Sequence, residues 1–407
     1  MQAQNTLRTS DRLGRYYTSN YVGAILVNSM GSNKPSSVLD LGSGDGALTT
    51  AAASKWLGAK FYTVDIDKNA KSSSLPQLFG DSFRHHIGDA LSPTIGKRLG
   101  LNLASADLAV CNPPYIRPKW RAGFANILED AGLSNVLPKL SEVPAEILFI
   151  AQNLRFLKNE GRLGLIVPDG IIAGEKFADF RNTLATQHCI ERVIELPRGI
   201  FKKTEAKAHI LIMRKSVEGP DQIQIQRLDE MGILSSELQV QKEQASSRLD
   251  YSFLISGVGN KKSKQTRIYD VTTSLTRGKI SSSQRATYNF PVLHTTDLNP
   301  SIDFVHGSFN FPEIFPNRSH VKRAKTGDIL IGRVGRNFEE KVCMVKSGAI
   351  AVSDCIFILT VAPEYREPLF AYLKSDLGRR ALSCSSHGVG AKFLTGDALQ
   401  KISFTTK

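Results

Sequence analysis

The stretch VLDLGSGDGALT (38–49) decides the fold. Its first residues continue the apolar run SSVLDLG (36–42), which reads as a buried strand, and GALTTAAASKWL (46–57) reads as the helix behind it. Gly42, Gly44 and Gly46 lie between them, so the backbone can turn tightly and approach a ligand closely. The pattern then repeats. KFYTVDID (60–67), ADLAVC (106–111), GRLGLIVP (161–168), IERVIELP (190–197) and AHILIMRK (208–215) read as further strands, and AEILFIAQNLRFLKNE (145–160) as a helix stopped by Gly161. Strands alternating with helices predict an α/β domain of the Rossmann-like kind with a mostly parallel sheet. Beyond Lys215 the chain becomes polar and weakly periodic, and SGVGNKKSKQTR (256–267) has the composition of a linker. Short strands, turns and one helical stretch follow, predicting an α+β domain. The expected division is 1–255, a linker over 256–267, and 268–407.

Bulk properties bound the function. A chain of 407 residues exceeds the usual size of one core. Its formal charge of +14 favours a polyanionic partner, nucleic acid first. The 5 cysteines form no CxxC pair, so reduced thiols are expected, with neither disulfides nor a metal site. No apolar run is long enough for a bilayer and no signal core opens the chain, predicting a soluble, cytoplasmic protein without a membrane partner.

A lone glycine loop fits nucleotide, flavin and S-adenosylmethionine folds alike. Asp40, just before it, suits the cationic amino-acid end of S-adenosylmethionine better than a pyrophosphate. Asp65, ending the second strand, can accept both ribose hydroxyls, and Asp89 in HIGDALSP the adenine amino group. Tyr17 and Thr18 in LGRYYT can cover the methionine end. The strand ADLAVC runs into CNPPYIRPKW (111–120), where the prolines force an abrupt exit from the sheet. The Asn112 side-chain oxygen and the Pro113 carbonyl can aim two acceptors at the hydrogens of an exocyclic amine. They favour tetrahedral nitrogen and release the lone pair that the ring otherwise holds. Pro113 and Pro114 stiffen that arrangement, Tyr115 offers a stacking face, and Phe201 is the expected second wall for a flipped-out base. Arg117, Lys119 and Trp120 behind the turn are expected to face DNA.

In this order LGRYYT, VLDLGSGDG, TVDID, GDAL, CNPPY, GRLGLIVPDG and GIFKKTEAKAHIL resemble the gamma class of DNA adenine-N6 methyltransferases of bacterial restriction–modification systems. The resemblance covers roughly residues 10–215. It implies S-adenosylmethionine as methyl donor, base contacts at Asn112, Pro113, Tyr115 and Phe201, ribose contact at Asp65 and adenine contact at Asp89. Two departures stand out: Asp40-Leu41-Gly42 replaces an acidic-proline pair common in the family, and Ala90 stands where an aromatic often follows Asp89.

The region 268–407 resembles the target-recognition domains of type I specificity subunits through LTRGKISSS, FPVLHTTDL, TGDILIGRVGR and AVSDCIFIL. Arg277, Lys279, Arg285, Arg333, Arg336 and Lys392, near glycine-containing turns, are its expected DNA contacts. The reading is a sequence-specific methyltransferase acting on double-stranded DNA. With no room for a nuclease domain before Leu13, methylation without cleavage is expected; companion restriction or defence subunits are candidate partners that the sequence does not itself identify. Cytosine N4, RNA adenine and protein glutamine remain as alternative acceptors of the same turn, and a catalytically silent DNA-specificity subunit as a rival of another class.

Overall fold

The computed structural model describes residues 18–31, 34–75, 77, 80–136, 142–201, 207–217, 221–255, 266–309, 321–335, 337–387 and 392–404. Contacts divide the chain into two units, Met1–Tyr251 and Ser252–Lys407. Among the described residues no helix is long and apolar enough to cross a membrane.

In the first unit the apolar runs become β1 (Ser37–Leu41), β2 (Lys60–Asp65), β3 (Phe83–Ile87), β4 (Ala106–Cys111), β5 (Leu157–Pro168), β6 (Cys189–Glu195), β7 (Ala208–Arg214), β8 (Gln222–Arg227) and β9 (Leu238–Gln241). They form one sheet in the order β3-β2-β1-β4-β5-β7-β6-β8-β9. Every pairing from β3 to β5 is parallel, and β7 enters antiparallel between β5 and β6. Near-continuous burial of β1, β4 and β5 reflects helices covering both faces. The chain builds outward from β1 to β3 on one side and from β4 on the other. The crevice between the carboxyl ends of β1 and β4 is therefore the topological switch point, where such sheets bind ligands.

Two elements differ from the sequence reading. The helix Ala145–Phe156 ends before Glu160, because Leu157 already pairs with Ala106 of β4 and the chain then turns at Glu160 with φ 65°. The polar stretch after Lys215 is not loose: in QIQIQR the side chains of Ile223 and Ile225 are buried, and β8 and β9 extend the sheet.

The second unit has a five-stranded sheet, ordered Thr272–Arg277, Ile356–Val361, Ile329–Gly332, Val342–Ser347 and Phe304–His306. A three-stranded sheet accompanies it: Val292–Leu293, Ala349–Val352 and Arg323–Lys325. The helices Pro363–Lys374 and Asp376–Cys384 pack Leu369, Leu373 and Leu382 into one core with Ile329, Ile331 and Leu359. It is an α+β unit.

Arg181, 2% exposed on the helix Ala178–Gln187, holds the first unit's later segments together. Its guanidinium donates to the carbonyls of Ile171 (3.0 Å), Gly174 (2.8 Å), Ala245 (3.0 Å) and Ser246 (2.9 Å). Arg181→Met leaves those buried acceptors unmet and is expected to cost about 3 kcal/mol, read as a lower denaturation midpoint; an unchanged midpoint contradicts this role.

Candidate functional site

At the switch point a cavity of about 480 Å³ is lined by the glycine loop, the ends of β2 and β3, the turn after β4 and the start of the helix Ala145–Phe156. Its shape begins with backbone conformation. Gly42, Gly44 and Gly46 all have positive φ (78°, 50° and 76°), the region costly for residues with a side chain. At Gly42 a Cβ would also lie 3.2 Å from the Phe149 ring, while nothing stands within 4 Å of Gly44, whose backbone faces open space. The Gly42 and Ser43 N–H groups donate to the Val64 carbonyl at 2.8 and 2.9 Å. Gly44 N–H donates to Asp65 Oδ2 at 2.7 Å, and Asp67 N–H to Asp65 Oδ1 at 2.8 Å. Asp65 thus clamps the loop to the end of β2 while remaining on the cavity wall.

Asp40 lies 2% exposed beneath the loop. Its Oδ2 accepts from Thr49 Oγ1 at 2.6 Å, and its Oδ1 has no hydrogen-bond partner among the described residues. Burial pushes this carboxyl up to about 7, with Asp65 adding to the rise against the Thr49 hydrogen bond. A buried, partly unsatisfied carboxylate on a cavity wall fits a ligand that carries positive charge.

On the opposite wall the Asn112 Nδ2 donates to Thr18 Oγ1 at 3.0 Å, so Thr18 reaches the cavity by orienting the carboxamide. Pro113 is buried, and Pro114 and Tyr115 are half-buried. The turn is anchored where Ala145 N–H donates to the Ile116 carbonyl at 2.9 Å. Asp89 accepts from Leu91 N–H at 2.9 Å and pairs with Arg121 at 2.6 Å, which joins the end of β3 to the segment behind the turn.

Other expected residues sit elsewhere. Phe201 is not an open stacking wall here: it is 2% exposed and packs with Ile194, Leu196 and Ala208, because its turn folds back onto the sheet. Trp120, half-buried, stands edge-on to Phe124 at 5.7 Å, Arg117 is exposed away from the cavity lining, and Lys119, also exposed, does line the cavity. In the second unit, Arg285 pairs with Asp297, Lys392 pairs with Glu339 at 3.0 Å, and Arg333 donates to the Asp354 carbonyl at 3.0 Å. These side chains serve their own domain, while Arg277 and Lys279 are exposed. Tyr17 and Arg336 lie outside the described residues.

Sequence reasoning missed four contributors. Ile66, 60% exposed, is an apolar side chain on the cavity rim beside Asp65. Arg121 lines the cavity and pairs with Asp89. Gln152, on the helix Ala145–Phe156, donates to the Ala90 carbonyl at 2.9 Å and supports the loop after β3. Glu146, 6% exposed, is raised to about 7 by burial against the opposing pull of Arg117. The last two carry a readable signal, a polar residue bordering an apolar helical run.

The family described as N-6 DNA Methylase matches residues 2–249. Over 229 residues the chain is 24% identical to the type I restriction enzyme EcoEI methylase subunit of Escherichia coli, spanning 53% of this chain and 45% of that protein. Over 95 residues it is 34% identical to the release factor glutamine methyltransferase of Bacillus subtilis, spanning 22% of this chain and 31% of that protein. The solved structure of the type IIG restriction endonuclease BpuSI matches 97% of this chain and 59% of its own at a TM-score of 0.53 and 13% identity, a likeness of fold. The chain spans less than half the length of the curated relatives it matches.

The raised Asp40 yields a pH test. Its folded pKa of about 7 exceeds the ordinary 3.8, so ionisation opposes folding, a cost absent below 3.8 that grows until about 7. Ligand-free Asp40→Asn should therefore melt above the parent at pH ~8, and the gap should close toward pH ~4. Affinity for a cationic ligand should instead rise with pH in the parent and stay flat in the variant. A gap independent of pH contradicts the assignment.

Proposed function

The chain belongs to the N-6 DNA methylase family, and on that premise we propose that it transfers a methyl group from S-adenosylmethionine to the N6 amine of an adenine flipped out of duplex DNA, in restriction–modification or phage defence. One observation carries the reading: a buried carboxylate, Asp40, and the Asn112 and Pro114 side chains of the turn after β4 line the same cavity at the switch point.

When bound, S-adenosylmethionine supplies an electrophilic methyl on its sulfonium. Asp40 Oδ1 would hold the ammonium of its methionine end. Asp65 would take the ribose with the acceptor capacity its backbone clamp leaves, and Ile66 would cover a face of the adenine ring. Asp89 would meet the adenine amine while tied to Arg121. The Asn112 Oδ1 and the Pro113 carbonyl would accept the two hydrogens of the target amine, which would favour pyramidal nitrogen and make its lone pair available. Thr18 keeps the carboxamide in register for this. The methylated nitrogen is cationic and gives its extra proton to water, so no strong general base is required. Tyr115 supplies one stacking face, worth about 1–3 kcal/mol.

The basic balance, +14, supports nucleic acid as substrate. We assign target recognition to the second unit, with Arg277 and Lys279 as its first DNA contacts. A second reading is favoured by one finding, the likeness to a glutamine methyltransferase, because the same turn grips a planar amide equally well.

Asn112→Ala is expected to lower transfer of tritiated methyl to duplex DNA by at least about a hundredfold, with S-adenosylmethionine affinity held within about twofold. Full activity in the variant contradicts the role of Asn112. Transfer to a glutamine-containing peptide in place of DNA supports the second reading. For the second unit, Arg277→Ala combined with Lys279→Ala should weaken DNA binding and reduce the slope of log affinity against log salt by about two. An unaltered slope removes these residues from the interface.

A further inference from the structure

Two motifs that the sequence singles out, VPDG and AKAHIL, contain charged residues that the methyl-transfer reading leaves idle. The fold brings them together. The Lys207 ammonium lies 3.4 Å from Asp169 Oδ1, 3.3 Å from Glu195 Oε1 and 3.4 Å from Asp250 Oδ2. His209 Nε2 stands 2.9 Å from the same Asp169 oxygen, and Arg248 grips both oxygens of Asp250 at 2.8 Å. The side chains are buried: Lys207 is 12% exposed, Asp169 4%, Glu195 6% and Asp250 0%. The carboxylates hold the Lys207 ammonium above its ordinary pKa despite its burial, and Lys207 holds Asp169 below its own.

The location points to function. Asp169 follows the end of β5, Glu195 ends β6, and Lys207 precedes β7, so the cluster joins three strand ends at one edge of the sheet. Cys111 pairs with Leu165 in parallel register, so Asp169, the residue after β5, lies three residues beyond the level of Asn112 at the same edge of the sheet. The turn 197–201 departs from this cluster, and its first strap is the Leu196 N–H bonded to the Ala208 carbonyl at 3.0 Å. Buried ion pairs are a costly way to gain stability, since apolar packing of the same volume does as well. What they supply is one fixed arrangement of the groups that share them.

We propose that Lys207 is a positioning residue for methyl transfer: its ammonium, shared among Asp169, Glu195 and Asp250, fixes the seat of the turn 197–201 on the target side of the cavity. The proposal rests on the methyl-transfer reading above. The glycine loop and Asp40 are held by β1 and β2, at the far side of β4, so cofactor binding does not depend on the cluster.

The test compares Lys207→Met, Lys207→Arg and Glu195→Gln in the full chain. It reads S-adenosylmethionine affinity by calorimetry, single-turnover transfer to DNA, and hydrogen exchange of peptides covering 195–201 and 42–46. Lys207→Met is expected to bind S-adenosylmethionine within about twofold of the parent, to transfer at least about tenfold more slowly and to exchange faster over 195–201 only, with Lys207→Arg recovering most of the rate. Should Lys207→Met not fold, Glu195→Gln carries the test, with a loss of about threefold and faster exchange in the same peptide. Unchanged exchange over 195–201, or a matching rise over 42–46 with weakened cofactor binding, overturns the proposal. A parent that binds S-adenosylmethionine but methylates no DNA sinks the substrate reading, and the exchange data then decide the positioning role alone.

Discussion

A buried carboxylate without a cationic partner among the described residues, Asp40, is the constraint around which the rest of the site is arranged. An ionised group cannot remain in an apolar interior uncompensated, so it either takes up a proton or waits for a cation. Thr49 satisfies one oxygen, the other has no hydrogen-bond partner among the described residues, and Asp40 lines the cavity. The glycines that follow remove side chains from the space above, and Asp65 ties their backbone to β2. The glycine-loop side of the cavity is thus preorganised by the chain itself.

The β4 side of the cavity is built differently. Asn112 stands at the end of β4 beside Asp40's strand, fixed by Thr18 from outside the sheet and by a turn anchored on the helix Ala145–Phe156. That helix also packs Phe149 beneath Gly42 and props the loop after β3 through Gln152. One helix therefore couples the glycine loop, the loop after β3 and the Asn-Pro-Pro-Tyr turn. Next to it, the Lys207 cluster fixes the ends of β5, β6 and β7. The second unit has its own core, and its basic side chains divide between internal pairs and exposed positions.

Much of this was legible beforehand, for physical reasons. Continuous apolar runs report strands buried on both faces, and glycines at alternate positions between a strand and a helix report a backbone in left-handed conformations. Proline after Asn112 reports a forced exit from the sheet. What escaped reading depends on long-range partners. Phe201 in a polar loop looks exposed until the loop folds back on Ile194 and Ala208. Arg285 and Lys392 look like DNA contacts until Asp297 and Glu339 come within reach. QIQIQR, by contrast, carries its own alternation, which the polar composition of the stretch around it masks. Asp169, Glu195 and Lys207 belong to separate strand ends, and no local spacing announces that they meet.

The central claim is that this arrangement methylates adenine in DNA. Long-read sequencing of DNA from a host expressing the chain, set against the same host expressing Asn112→Ala, tests it most directly. The account predicts N6-methyladenine at one recurring sequence motif with the parent and none at that motif with the variant. Unmodified adenine in a host shown to contain the folded, S-adenosylmethionine-binding protein contradicts it.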